Sequence, residues 1–253
     1  MEIKFLTEPS LLLKNNILVI ADLHIGLEYE IFKSGITIPS QIEKLQKRID
    51  SIIKQNKVKH LVILGDVKHQ VPDISWQEYR EIPEFLKHFN VKITIVKGNH
   101  DGNIERLAPR GIKIFDSKGF KLEDFILIHG HAWPRKKDLD AEYLLMGHAH
   151  PAVEFWTDEF RSIEPCWLKC KIDKKRIEEK YKKETHLKEA IVMPAFNHLI
   201  GGMPFNAEDF EPIGPLLNNE VLKWKEADVY LLDGMYLGKL NKIKRKYKRR
   251  KII

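Results

Sequence analysis

Five short apolar runs recur along this chain, at residues 17–21, 61–64, 93–96, 125–128 and 143–146. Each is four or five residues long, too short for a packed helix, and each stops at Gly, Asp, His or Lys. Such runs read as buried strands. Between the first two, Ile38, Ile42, Leu45, Ile49, Ile52 and Ile53 return at helical spacing, and Ser40 with Glu43 predicts a capping box at the helix start. A second helix is predicted from Ser75, with Glu78 three residues on and Tyr79, Ile82, Phe85 and Phe89 on one face. Pro83 is expected to kink or restart it. Strand–helix alternation of this kind predicts right-handed crossovers and a mostly parallel sheet.

The pattern changes after Val96. Residues 3–6 and 11–13 read as edge strands ahead of the first run, and 191–193 and 229–232 as strands near the end. Residues 112–115 and 120–122 flank the turn-forming Asp116-Ser117-Lys118-Gly119 and predict a hairpin. From 158 to 189 charge dominates, which predicts an exposed insertion. An α/β first half and a mostly β second half fit two sheets packed face to face with helices outside.

What closes the five runs changes the picture from fold to chemistry. The closing motifs are Asp22-Leu23-His24, Gly65-Asp66, Gly98-Asn99-His100-Asp101, His129-Gly130-His131 and Gly147-His148-Ala149-His150. In open α/β sheets, ligands bind outside the carboxyl ends of the strands. Five strand ends delivering imidazole, carboxylate and amide groups to one edge therefore describe a site. Asp66 can bridge two cations, and Asp22 and His24, two apart, can turn toward one ion. Asn99 offers an amide oxygen, and His129, His148 and His150 offer imidazole. A mixed carboxylate, amide and imidazole donor set without thiolate suits two divalent ions, Mn²⁺, Fe or Zn better than Ca or Mg, with Ni also compatible. His131 and His69 lie beside these donors, where either could touch substrate phosphate or serve packing. His60, His88, His186 and His198 read as structural or surface residues.

In order and spacing, these motifs resemble the calcineurin-like metallophosphoesterase superfamily. The resemblance implies a four-layer αββα sandwich carrying a dimetal centre. It implies that Asp22, His24, Asp66 and His150 hold one ion, and that Asp66, Asn99, His129 and His148 hold the other. His100 would protonate the leaving oxygen, oriented by Asp101. Two branches do not fit: protein Ser/Thr phosphatases carry an Arg soon after Gly-Asp, where this chain has Val67-Lys68-His69, and purple acid phosphatases carry a Tyr ligand absent here. Residues 22–28, Gly35-Ile36-Thr37-Ile38-Pro39, Met193-Pro194-Ala195-Phe196-Asn197 and Gly201-Gly202 are similar to the prokaryotic DNA-ligase-associated metallophosphoesterases. That likeness implies a manganese-dependent phosphodiesterase or DNA endonuclease, with DNA-repair proteins as partners. The alternatives are a phosphatase or cyclic phosphodiesterase of small nucleotides, and an inactive metal-bound scaffold. The intact His100-Asp101 pair speaks against the scaffold.

Composition adds three points. No apolar stretch approaches the roughly 20 residues that span a bilayer, and Met1-Glu2-Ile3-Lys4-Phe5 does not open a signal peptide, so a cytoplasmic protein is expected. Cys166 and Cys170 cannot supply a four-cysteine zinc site; they read as reduced thiols or a local bridge. The net charge of +7 is concentrated in residues 239–253, which hold nine Lys or Arg and no acid, leaving 34 basic against 36 acidic residues in the rest. A metallophosphoesterase domain over 1–238 with a basic tail is expected. The tail is either a solubilising segment or an arm for nucleic acid.

Overall fold

The computed structural model describes residues 3–156 and 160–244. In chain order its elements are β1 (Ile3–Phe5), β2 (Ser10–Leu13), β3 (Ile17–Ile20), α1 (Leu27–Lys33), α2 (Ile42–Asn56), β4 (His60–Leu64), α3 (Trp76–His88), β5 (Lys92–Val96) and β6 (Lys113–Phe115). Then follow β7 (Phe120–Leu122), β8 (Phe125–Ile128), β9 (Tyr143–Met146), β10 (Pro151–Trp156), β11 (Arg161–Lys171), α4 (Lys174–Tyr181) and β12 (Glu189–Val192). The last are β13 (Met203–Pro204), α5 (Pro215–Asn218), β14 (Asp228–Leu231) and β15 (Tyr236–Lys239). The first six strands form one sheet in order 1-2-3-4-5-6, with β3 to β6 parallel. The other nine form a second, mixed sheet whose path runs 13-10-11-12-9-8-7, with β14 on β11 and β15 on β14.

Alternation along the strands divides the core into three layers. Ile17, Val19, Val62, Leu64 and Val96 face the second sheet, where Phe125, Leu127, Leu145, Trp167 and Ile191 meet them. The residues between them, Leu18, Ile20, Leu61, Ile63, Ile93 and Ile95, pack under α2 and α3. On the far side, Ile126, Ile128, Leu144, Met146 and Leu168 pack under α4, α5 and their loops. This is the four-layer αββα sandwich, its second helical layer thin. No helix among the described residues is long and apolar enough to cross a membrane.

Several local expectations are corrected. Residues 112–122 form no hairpin: β6 pairs with β5 in the first sheet and β7 with β8 in the second. Residues 116–119 are the crossing between sheets, held by Phe115 stacked on Phe120 at 4.1 Å. The segment 158–189 is not exposed throughout, since β11 within it is internal to the second sheet with Cys166, Trp167, Leu168 and Cys170 buried; residues 158 and 159 lie outside the described residues. The Ser75–Glu78 capping box forms, and α3 runs through Pro83 unbroken, with Tyr79 exposed rather than in the core. The Ser40–Glu43 box does not form; α2 starts two residues later because Glu28 Oε1 takes the Gln41 N–H at 2.6 Å. The body also continues past residue 238, for Lys239 ends β15 and Leu240 is buried. Tail residues 245–253 lie outside the described residues.

Candidate metal centre

Each motif is the loop leaving a buried strand, and the loops hold one another in place. The first two run side by side beyond their strands: Asp22 N–H donates to Gly65 O, and His24 N–H to Asp66 O at 2.8 Å. Residues 196–197 brace them, with Phe196 N–H on Ala21 O and the Asn197 amide on Leu23 O at 2.8 Å. Asp22, His24, Asp66, His148 and His150 all have positive φ, between 41° and 68°. Non-glycine residues rarely occupy this region, and such strain persists where the surroundings enforce it, most often at functional sites.

The strain turns these side chains inward. Asp22, His24 and His150 offer ligand atoms within 4.8 Å of one another, and so do Asp66, His129 and His148. Asp66 Oδ2 joins the two groups, at 3.5 Å from His24 Nε2 and 3.3 Å from His129 Nε2. Asn99 Oδ1 is 3.0 Å from that same His129 nitrogen. His150 Nε2 is 3.4 Å from Asp22 Oδ1. All seven expected donors are thus gathered at one sheet edge, four from the first sheet and three from the second.

The donors fit cations. His24 Nε2 and His150 Nε2 are buried without a hydrogen-bond partner, which is costly unless something else satisfies them. His129 Nδ1 donates to Leu64 O at 2.8 Å, so Nε2 is the nitrogen left facing Asp66. Burial keeps His24 well below its ordinary range and His148 down at about 3, as neutral ligands require. Burial opposes charge on His129 too, but Asp66 and Asp22 outweigh it and push that ring up to about 9. Asp66 is lowered in return: its burial is outweighed by His129 and His24. A negative pocket that concentrates positive charge this strongly suits divalent ions.

His100 lies at the same place, its ring 4.8 Å from that of His24. Its N–H donates to Asp66 Oδ1 at 2.9 Å, and its Nδ1 is engaged by His69 O, leaving Nε2 for substrate. The orienting contact expected from Asp101 therefore comes from the His69 carbonyl. Asp101 instead accepts three backbone N–H groups, from Val67, Lys68 and Gly98, and so staples the second loop to the third. Burial, with Asp66 nearby, raises it to about 6.

His69 does more than its neighbourhood suggested. Its Nε2 meets Glu30 Oε2 at 2.9 Å and its Nδ1 meets His24 Nδ1 at 3.1 Å. With Glu30 accepting from His69, His69 accepts from His24, which fixes the tautomer of His24 that bares Nε2. Glu78 shapes this loop as well, taking the N–H groups of His69 and Gln70. Glu30 is a positioning residue that carries no motif signal. His131 is placed beside His129 and His148, with ring centroids 5.2 and 6.0 Å away. Its Nδ1 is buried and unpaired, and burial first, then His129, lower it to about 4. His60, His88 and His198 bond Thr94, Asp50 and Arg48, respectively. Cys166 and Cys170 are free buried thiols whose pKa burial pushes up.

Comparison with known proteins bears on the fold and the family. The crystal structure of the Pseudomonas putida nuclease MPE superposes with a TM-score of 0.56 at 21% identity, covering 93% of this chain and 94% of that one. At that identity it speaks for the fold alone. Yfce, a phosphoesterase from E. coli, aligns at a TM-score of 0.38 and 17% identity over 88% of this chain and 96% of that one, too low to bear on the argument. No curated protein matches the sequence. Calcineurin-like phosphoesterase is the family matched by residues 16–168, a stretch that holds the motif loops. With its sandwich fold and its cation-fitting edge, the chain belongs to the calcineurin-like phosphoesterases and is a metal-dependent hydrolase.

Proposed function

We propose that this enzyme is a manganese-dependent phosphodiesterase that cleaves nucleic acid. One observation carries the phosphoester reading: two donor groups meet at Asp66 Oδ2, which belongs to one and lies 3.5 Å from His24 of the other, while His100, fixed through Nδ1, offers a free Nε2 at the same edge. Asp22, His24, Asp66 and His150 would hold one ion, and Asp66, Asn99, His129 and His148 the other. A bound pair would supply Lewis-acid chemistry there, lowering the pKa of water and offsetting charge on the phosphoryl group. His100 donates a proton to the departing oxygen. Asp101 keeps the Asp66 and Asn99 loops in register, and the Glu30–His69 pair orients His24. Manganese is favoured by the mixed oxygen and nitrogen donors.

Nucleic acid as substrate draws support from two sides. The structural neighbour MPE is described as a nuclease, and the C-terminal residues carry nine cations with no acid. The deciding experiment supplies Mn²⁺ to the metal-stripped protein and compares bis-p-nitrophenyl phosphate with p-nitrophenyl phosphate, then DNA and RNA with mononucleotides. Diester and polynucleotide hydrolysis is expected. A preference for monoesters or mononucleotides would replace this reading with a small-nucleotide phosphatase. The tail is tested by truncation after Lys244, because a cut at 239 would remove the buried Leu240. Weaker nucleic-acid binding is expected, with small-diester turnover unchanged.

A further inference from the structure

A groove of about 880 Å³ opens beside the metal centre, and its composition differs from the rest of the surface. His131 stands at one end of it, next to His129 and His148. The walls carry Lys118, Arg135, Lys136, Lys137 and Lys180, with no carboxylate among the lining residues. Residues 1–238 as a whole hold 34 basic against 36 acidic residues, these five cations included, so the concentration of positive charge here is local.

The groove is built rather than incidental. Arg135 is held by Gly119 O at 3.0 Å and by Asp116 at 2.7 Å. The Tyr181 hydroxyl donates to Pro134 O, tying the end of α4 to the loop that follows His131. Trp133 packs edge-on against Tyr181, and Lys180 Nζ lies 4.3 Å from the Trp133 ring centroid. Lys118, Lys136, Lys137 and Lys180 are exposed along this frame. Arg135 and Lys137 also line a second cavity of about 580 Å³, together with Lys92, Lys113 and Lys121, where Asp138 is the one lining carboxylate and Lys121 pairs with Asp140 at 2.5 Å. The cationic surface therefore continues away from the centre along the edge where the chain crosses between sheets.

We infer that this groove binds the polynucleotide strand flanking the scissile phosphate, its lysines taking backbone phosphates on the His131 side of the centre. The inference rests on the phosphodiesterase reading and adds where the rest of the substrate lies. Exposed cations beside aromatic rings, in a groove that reaches the His131 side of the centre, match the way proteins track a nucleic-acid backbone. An acidic protein partner would explain the charge but not its continuity with the phosphoester site.

The test uses the full chain with Mn²⁺ and the double variant Lys118→Glu/Lys180→Glu, with Lys44→Glu/Lys47→Glu on the exposed face of α2 as a control of equal charge change. Lys118 and Lys180 touch no donor of the centre, so turnover of bis-p-nitrophenyl phosphate should match the parent. For oligonucleotides, KM should rise about tenfold or more, and the slope of log K against log salt should flatten by about 1.4 to 1.8 for two lost phosphate contacts. The α2 control should leave both unchanged. Oligonucleotide KM and salt slope that match the parent in the groove variant would overturn the groove while leaving the phosphodiesterase reading intact. Equal losses in groove and control variants would overturn it too, by showing that only net charge matters. A parent that hydrolyses the small diester yet neither binds nor cleaves oligonucleotides would overturn the groove together with the nucleic-acid substrate, leaving diester hydrolysis standing.

Discussion

Gly98 sits where Asp66 comes closest to a neighbouring loop, which makes Gly98→Ala a sharp probe of the centre. A methyl group there would overlap the Asp66 amide nitrogen and Oδ1, and would lie 2.8 Å from Asp66 Cγ. Ordinary contact begins at roughly 3.4 Å, so the two loops must part by about 0.6 to 1.4 Å, and Asp101, bonded to both, resists. Overpacking of this kind costs about 1–3 kcal/mol. For a protein of this size that lowers Tm by about 2–12 °C. Because the moved carboxylate is shared by both donor groups, a shift near 1 Å should cost roughly 10²-fold in turnover. Gly98 does not require positive φ, so the effect is one of contact alone. Gly102 supplies the control: a methyl there meets only Pro72 O, at 3.7 Å. Thermal melts, metal analysis and diester hydrolysis of both variants decide the matter. If Gly98→Ala keeps full metal content and turnover within twofold of Gly102→Ala, the close approach has no functional weight and the reasoning fails.

Three further outcomes are expected. His100→Ala should retain its metal but lose on the order of 10²-fold in turnover, less with p-nitrophenolate, a leaving group that barely needs a proton; equal losses for good and poor leaving groups would point instead to charge stabilisation. Glu30→Ala should weaken Mn²⁺ binding about tenfold in calorimetry by freeing the His24 tautomer, and unchanged affinity would remove Glu30 from the site. His129 is raised to about 9 beside Asp66 and Asp22, so it keeps a proton that a cation must displace as pH rises from 6.5 toward that value. Mn²⁺ affinity should increase across this window with proton release, read as a dependence of binding heat on buffer ionisation; heats independent of buffer would contradict it.

The strands that carry the donors were legible because one physical signal marked both fold and site. An apolar run that must be buried ends at polar groups that must be satisfied, as at Leu64-Gly65-Asp66. The same logic fails where two structures share one signal. Asp116-Ser117-Lys118-Gly119 has the composition of a hairpin turn, and nothing local states that its flanking strands belong to different sheets. In β11, the buried Cys166, Leu168 and Cys170 are preceded by Glu164 and alternate with Lys169 and Lys171, so charge masks an internal strand. The role of Glu30 was invisible for another reason: it depends on His69, 39 positions away, and only the folded chain puts the two side by side. Asp101 stands out for its neighbour in sequence but acts on backbone three and more than thirty residues distant.

The seam where the two sheets meet has a consequence for how sequence variation in this protein should be read. Ala21 is buried in the layer between the sheets, immediately before Asp22, and a methyl on Gly147 would lie 2.7 Å from its side chain. Asp22 hangs from one side of that seam and His148 and His150 from the other. The bulk of two residues with no reactive atom thus acts as a spacer gauge, setting how far apart the two halves of the donor set stand. A Val at position 21 would preserve hydrophobicity and strand propensity while prising the jaws open. A mutational survey would then score Ala21 beside the metal ligands, and an inventory of chemical groups would never have ranked it.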